Sequence, residues 1–138
     1  MSQQQLTEKL NEQLNREVTT FLRYMVQGAS IKGAEWESVR AMYLAEVTDE
    51  VGHAQYLANQ IVALGSTPTI RPELPVSPAS PWDMLERDIA EEQADVANYV
   101  VLAELAEQQG LYALKMAMEQ QAADEDEHRQ TMQRLLGK

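Results

Sequence analysis

Both histidines of this 138-residue chain lie in copies of one short pattern, Asp-Glu-x-x-His. The first copy ends at His53 and the second, 75 residues later, at His128. One more glutamate precedes the glutamate of each copy by 33 residues, so the repeated set is Glu17, Asp49, Glu50 and His53, then Glu92, Asp124, Glu125 and His128. Carboxylates and imidazoles are ligands of iron, manganese and zinc. Four glutamates and two histidines at a repeated spacing therefore predict a site for two metal ions.

Chance is the first alternative to this interpretation, because 16 of the residues are glutamate. One glutamate three residues before a histidine means little in such a chain. Four placements at one spacing would arise by accident in about one of several thousand trials, with about one glutamate in eight residues. We therefore interpret the repeat as a metal-ligand pattern.

Composition and charge exclude several classes of protein. The net charge is −11 and the pI is near 4.5, which disfavours binding to nucleic acid or to an anionic membrane, because both need clustered Lys and Arg. The chain has no cysteine, so disulfides, thiolate catalysis, iron–sulfur clusters and a four-cysteine iron site are excluded within it. Neither an export leader nor a membrane-spanning stretch is predicted, and the cytoplasm is the expected location.

All five prolines lie between residues 68 and 81, and they divide the chain into two long proline-free segments. Each segment has a break with glycine near its middle, at 28–33 and at 108–110, which predicts a helical hairpin on either side of a stiff linker. We predict four helices, in a single all-α domain of residues 1–138, over about 3–30, 35–64, 82–108 and 111–136. A crossover over 66–80 is long enough to run the length of a helix, so the second and third helices are expected to be parallel.

The predicted ligands lie on the apolar stripes of these helices. Leu14 and Phe21 flank Glu17 at helical spacing, and the other three glutamates also lie on the apolar stripes of their helices. Burying one uncompensated carboxylate costs several kcal/mol, so stability alone would not select four of them. All four lie about 16 residues from the turn of their hairpin, or roughly 25 Å along the helix, which predicts that they meet at mid-bundle.

This arrangement resembles the ferritin-like diiron-carboxylate superfamily, and most closely the bacterioferritins and their relatives, the rubrerythrins. The resemblance covers nearly the whole chain and implies a ferritin-like four-helix bundle, in which two helices supply one glutamate each and the other two supply Glu-x-x-His. By this resemblance Glu50 and Glu125 bridge the two metals. The two remaining ligand pairs it implies are Glu17 with His53 and Glu92 with His128. The implied cofactor is two iron ions per subunit, and manganese or zinc would suit the same ligands.

Four further residues repeat at the same offset and are placed to support the ligands. A metal-binding histidine usually donates its other N–H to a carboxylate, and Asp49 and Asp124 suit that role. Tyr24 and Tyr99 each follow a ligand glutamate by seven residues. These tyrosines either hydrogen-bond to carboxylates at the site or are ordinary core residues.

Two acidic residues are candidates for additional roles. Glu46 lies one turn before Glu50, and it is either a seventh ligand, a residue at which iron enters, or a polar residue of the helix surface. Asp95 takes roughly the place of an extra carboxylate ligand of rubrerythrins. For Asp95 we expect the alternative, a solvent-facing helix residue.

The chain departs from bacterioferritin at three places. Val51 stands where that family carries the methionine that ligates haem, so no haem is predicted. Ala45 stands where some bacterioferritins have a histidine of an inner-surface iron site. The sequence ends ten residues after His128, before the short fifth helix that helps bacterioferritins to assemble a cage. Storage in a cage is therefore not implied.

The resemblance implies a protein that binds two Fe(II) ions and oxidises them with O2 or H2O2, in iron handling and in protection from oxidative stress. One alternative is a rubrerythrin-like peroxidase or a diiron oxidase that takes electrons from a separate donor protein. Another alternative is a storage subunit or a structural metal site. A homodimer is the smallest assembly expected, and a larger homo-oligomer is the other assembly considered.

Overall fold

The computed structural model describes residues 2–138, and within that range it contains four long helices and no strand. In order along the chain these are α1 at Gln3–Ser30, α2 at Glu37–Ala63, α3 at Pro81–Gln108 and α4 at Tyr112–Leu135. A 3-10 turn at Ala34–Trp36 precedes α2. Helix α2 therefore begins at Glu37, two residues later than predicted. The predicted all-α four-helix architecture is confirmed.

Local sequence signals explain where helices begin and end. Ser2 caps α1 in a capping box, in which its hydroxyl accepts the Gln5 N–H and the Gln5 side chain accepts the Ser2 N–H. Ser80 caps α3 in a similar way by accepting the Asp83 N–H. Gly110 follows α3 with a φ of 70°, a left-handed conformation that glycine adopts without a Cβ penalty. These signals set the lengths of the helices that carry the ligands.

Contacts between side chains define how the helices are arranged. Along α1 and α3 the contacting pairs run in opposite directions, from Gln13 with Asp95 to Arg23 with Asp88. Helix α1 is also antiparallel to its hairpin partner α2. Helices α2 and α3 are therefore parallel, as the long crossover predicted.

Two asparagines hold the crossover against α1. The Asn11 side chain accepts the Thr69 N–H at 2.8 Å, and the Asn15 amide donates to the Thr69 carbonyl at 2.7 Å. The Asn15 side chain also accepts the Arg71 N–H. The backbone of this irregular segment thus finds polar partners, and the segment covers one side of the bundle on its way to α3.

Two apolar clusters fill the bundle on either side of its middle. Leu10, Leu57 and Leu102 belong to one cluster, and Leu85 and Met132 belong to the other. Between the clusters lies a layer of buried polar and charged side chains, which includes the predicted ligands. The apolar clusters keep water away from this layer and so strengthen the electrostatic interactions within it. Among the described residues, no helix is long and apolar enough to cross a membrane.

Candidate metal centre

The predicted ligands from the four helices come together at mid-bundle. Each helix contributes one glutamate with 0% exposure, and α2 and α4 each add a buried histidine one turn later. The ligand atoms form two groups, in each of which all atoms lie within 4.8 Å of one another. One group is Glu17, Glu50, His53 and Glu125, and the other is Glu50, Glu92, Glu125 and His128. The shared carboxylates of Glu50 and Glu125 give this arrangement the form of two adjacent cation sites.

Each histidine faces the glutamate of the other Glu-x-x-His copy. The His53 Nδ1 atom lies 2.9 Å from Glu125 Oε1, and the His128 Nδ1 atom lies 3.0 Å from Glu50 Oε1. The corresponding distances to the glutamate of the same copy are longer, 4.0 Å from His53 to Glu50 and 3.8 Å from His128 to Glu125. The two hairpins therefore interlock across an approximate two-fold axis, and neither hairpin forms a complete site alone.

Many polar atoms at the centre have no hydrogen-bond partner. Among the described residues this is true of both carboxylate oxygens of Glu50 and of Glu125 and of the Nδ1 atoms of His53 and His128. A buried polar group without a partner costs about 1–3 kcal/mol, and more when it is charged. Divalent cations would satisfy all of these atoms at once and cancel the carboxylate charges. The chemistry of the donor set, oxygen with imidazole nitrogen, fits iron, manganese or zinc.

The two aspartates of the repeat orient the histidines. Nε2 of His53 lies 2.9 Å from Asp124 Oδ2, and Nε2 of His128 lies 3.1 Å from Asp49 Oδ2. Each aspartate thus pairs with the histidine of the other copy, not with its own. A carboxylate accepts the Nε2–H, so Nδ1 is the ring nitrogen that faces the centre and would bind a cation in its deprotonated form.

The two repeated tyrosines hydrogen-bond to the outer glutamates. The Tyr99 hydroxyl donates to Glu17 Oε1 at 2.8 Å, and the Tyr24 hydroxyl donates to Glu92 Oε1. Both bonds run between α1 and α3, so each tyrosine holds the glutamate of the other hairpin. The Oε2 atom of each glutamate has no partner. Each outer glutamate therefore presents one held oxygen and one free oxygen.

Burial and crowding shift the acidities at the centre. Burial, followed by the charge of Glu17, raises the pKa of Glu50 and of Glu125 well above the ordinary value. Burial alone would lower the pKa of His128, but neighbouring carboxylates, chiefly Glu92, raise it to about 10. Burial also works against ionisation of Glu92, yet His128 lowers its pKa below the ordinary value. The centre thus retains protons that bound cations would replace.

Asp95 is not solvent-facing, and that prediction is wrong. It is 1% exposed because its position on α3 faces α1, where Arg16 Nε lies 2.7 Å from Asp95 Oδ1. Asp95 belongs to neither group of candidate ligand atoms. Gln13 links it to the centre, since Gln13 Nε2 donates to Asp95 Oδ1 at 3.0 Å and to Glu17 Oε1 at 3.1 Å.

Glu46 is buried, so its interpretation as a polar residue of the helix surface is wrong. It is 5% exposed, and its Oε2 atom has no hydrogen-bond partner. It lines a cavity of about 610 Å³ between α2 and α4, together with His53, His128 and the more exposed Asp49. Burial raises the pKa of Glu46 to about 8, and the charges of neighbouring carboxylates add to this rise against the opposing effect of His128. Glu46 belongs to neither ligand group.

A third buried carboxylate on α3, Asp88, was not identified from the sequence. It is 0% exposed and is the centre of a network, in which it accepts from Arg23 at 3.0 Å, Gln27 at 2.8 Å and Tyr43 at 2.6 Å. Asp88 lies four residues before Glu92, on the same stripe of α3. This spacing was the available signal that Asp88 is buried.

Val51 and Ala45, two positions at which the chain departs from bacterioferritin, are both exposed on α2. Valine has no atom that binds haem iron, and alanine has none that binds an iron ion. The absence of haem and of an inner-surface iron site stays a prediction.

Comparisons with known proteins agree with this geometry. Residues 7–138 match the ferritin family, described as a ferritin-like domain. A solved ferritin-like diiron-carboxylate protein from Bacillus anthracis str. Ames is 32% identical, with a TM-score of 0.93 and 99% of each chain covered. Mycobacterium tuberculosis bacterioferritin is 22% identical with a TM-score of 0.88, over 99% of this chain and 87% of that one.

A bacterioferritin-related protein from Bacteroides fragilis, described as a dodecameric thioferritin, is 21% identical with a TM-score of 0.85. The alignment covers 99% of this chain and 87% of that one. Among proteins of curated function, none matches. Because the family match spans nearly the whole chain and the bundle carries the repeated ligand set, the chain belongs to the family of ferritin-like domains and has a diiron-carboxylate fold.

Proposed function

We propose that this protein binds two Fe(II) ions per subunit and oxidises them with O2 or H2O2, in iron handling and protection from oxidative stress. The observation that carries the proposal is the buried set of unpartnered carboxylate and imidazole atoms, arranged as two groups that share Glu50 and Glu125. A pair of iron ions bound there would supply two electrons together to one molecule of oxidant. Manganese or zinc would suit the same ligands but would not support the same reaction with O2.

Each ligand has a distinct role in this proposal. Glu50 and Glu125 lie in both groups and would bridge the two ions, as both oxygens of each are free. Glu17 and His53 would complete one site. The hydroxyl of Tyr99 keeps Glu17 Oε1 occupied, so Oε2 would bind the ion.

The second site would have the same arrangement of ligands. Glu92 and His128 would complete it, with Tyr24 in the place of Tyr99. Asp49 would hold the His128 ring through Nε2 and direct Nδ1 to the ion. Pre-positioned ligands of this kind reduce the reorganisation that accompanies binding and oxidation.

The cavity between α2 and α4 would admit Fe(II) to the centre. Exposed Asp49 and Glu127 lie at its rim, and His53 and His128 lie at its base, with buried Glu46 beside them. Negative side chains attract cations, and a low-dielectric wall focuses that attraction. We assign Glu46 to the path of iron and not to the ligand set.

Anaerobic titration of metal-stripped protein with Fe(II), followed by O2 and then by H2O2, tests the proposal. We expect binding to saturate at about two Fe(II) per chain and both ions to be oxidised together. Glu50→Gln and Glu125→Gln should lose paired binding, whereas Glu104→Gln, an exposed change on α3, should retain it. Full stoichiometry in either ligand variant would refute the assignment of the site. Continued uptake would indicate storage, and repeated turnover of H2O2 with an added reductant would indicate a peroxidase that uses a donor protein.

We also propose that the protein is a homo-oligomer, at least a dimer, formed through the outer face of the first hairpin. Met25, Val26, Leu44 and Val51 are 38–48% exposed on this face. Apolar side chains grouped in this way on a helix pair favour contact with a second copy. Sedimentation of the wild type and of Leu44→Glu would test it, and an unchanged mass in the variant would refute this face as the interface.

A further inference from the structure

A cavity on the α1–α3 side of the bundle contains most of the chain's arginines. The whole chain has 11 Lys and Arg residues against 22 Asp and Glu. A cavity of about 410 Å³, bounded by α1, α3 and the crossover, is nevertheless lined by four arginines, Arg16, Arg23, Arg71 and Arg87, against three glutamates, Glu12, Glu73 and Glu91. We call this the arginine cavity. It lies away from the acidic cavity between α2 and α4, whose lining contains no arginine.

Two of these arginines share a single carboxylate. Arg23 Nε lies 3.0 Å from Asp88 Oδ1, and Arg87 Nε lies 3.4 Å from the same oxygen. Arg23 is 4% exposed, yet its Nη2 atom has no hydrogen-bond partner among the described residues. A buried guanidinium donor without an acceptor is costly. Arg87 also donates to the Gln27 side chain and to the Val76 carbonyl, so the unsatisfied donor of this pair is Arg23 Nη2.

The crossover adds a further positive group. The Arg71 backbone N–H donates to Asn15, which anchors this part of the crossover, but within residues 2–138 the Arg71 guanidinium takes part in no ion pair. Glu73 also lines the cavity and likewise forms no ion pair in that range. Arg16 is already neutralised by Glu91 at 3.0 Å and by Asp95 at 2.7 Å. The arginine donors at the cavity that lack a partner within residues 2–138 are thus Arg23 Nη2 and the Arg71 guanidinium.

We propose that the arginine cavity binds a phosphate group, either as inorganic phosphate or as part of a small phosphomonoester. The guanidinium group presents several N–H donors in a fixed plane, which matches the oxygens of phosphate. Phosphate would supply acceptors to the Arg23 Nη2 atom and to the Arg71 guanidinium. The volume of about 410 Å³ leaves room beyond a single phosphate, so both sources of the group are tested.

Isothermal titration calorimetry at low ionic strength tests the proposal on full-length, metal-stripped protein, with inorganic phosphate and with glycerol 3-phosphate as probes. Because iron is absent, the result does not depend on the proposed oxidation of Fe(II). We expect saturable binding of about one phosphate group per chain, weakened about tenfold in Arg71→Gln, since one charge-assisted hydrogen bond is lost. The probe that binds more tightly identifies the source of the group.

Two further variants keep the test independent of folding. Glu73→Gln removes a competing negative charge at the cavity and should tighten binding several-fold, which an unfolded variant would not do. Arg40→Gln is the matched control, because Arg40 lies on α2 beside Glu37, outside the cavity. The proposal is overturned if neither probe shows saturable binding, or if Arg71→Gln and Arg40→Gln bind phosphate equally well.

Discussion

Replacing Glu46 by glutamine should stabilise the metal-free protein in a way that depends on pH. Glu46 is 5% exposed and has an unpartnered oxygen, so its ionised form is poorly solvated. Burial raises its pKa from an ordinary 4.5 to about 8. The folded state therefore holds a proton that the unfolded state releases between these values, and stability falls as pH rises through that window. Glutamine has nearly the same volume and no charge, so it removes this loss.

The pKa difference sets the size of the effect. The penalty is about 1.4 kcal/mol for each pH unit above the unfolded-state pKa. At pH 5 the variant should therefore gain less than about 1 kcal/mol, and at pH 7 about 3 kcal/mol. With a urea dependence of about 1–3 kcal/mol per molar, the gain at pH 7 raises the unfolding midpoint by roughly 1 M or more.

Urea unfolding of metal-stripped protein, followed by circular dichroism at both pH values, measures this difference. Glu104→Gln serves as the control, because Glu104 is exposed on α3 and its replacement should change stability little at either pH. An equal gain at pH 5 and pH 7 would show that the gain does not come from ionisation of Glu46. A variant no more stable than wild type at pH 7 would refute the reasoning.

Further predictions concern the ligands and their supports. Tyr99→Phe removes the hydrogen bond to Glu17 and should weaken metal binding about 10-fold or more, as measured by competition with a chelator. Unchanged affinity would mean that Tyr99 is only a core residue. Asp88→Asn leaves buried Arg23 without its carboxylate and should cost about 3–5 kcal/mol in urea unfolding, so a loss below 1 kcal/mol would contradict the network. Metal affinity should rise with pH, because the cations displace protons held by buried carboxylates, and affinity that is flat between pH 5.5 and pH 7.5 would argue against this displacement.

The helices could be read from the sequence because their signals are local. Ser80 before Pro81, and Gly110 after the third helix, mark boundaries through capping and backbone preference, which act over a few residues. The predicted start of α2 was less accurate, because Ala34–Trp36 forms a 3-10 turn. Periodicity of apolar residues does not distinguish a 3-10 turn from the first turn of an α-helix.

The candidate ligands could also be predicted, because a repeated spacing places them at one height in two hairpins. Burial of Asp95 and of Glu46 was not predicted. Asp95 and Glu46 occupy helix positions that would be exposed on an isolated hairpin, and each is covered only because a residue of another helix packs against it. An acidic side chain on a predicted helix is more often solvent-facing, so exposure was expected for Asp95.

From the sequence alone, one can determine the ligand types, their repeat and the helices that carry them, because these follow from short-range spacing and from the helical period. The tertiary structure decides which residues meet. Asp124 orients His53 and Asp49 orients His128, so each half of the centre depends on the opposite hairpin. This pairing of each aspartate with the histidine of the other hairpin depends on the hairpins packing face to face. Such packing brings together residues about 75 positions apart, and no local pattern specifies such a contact.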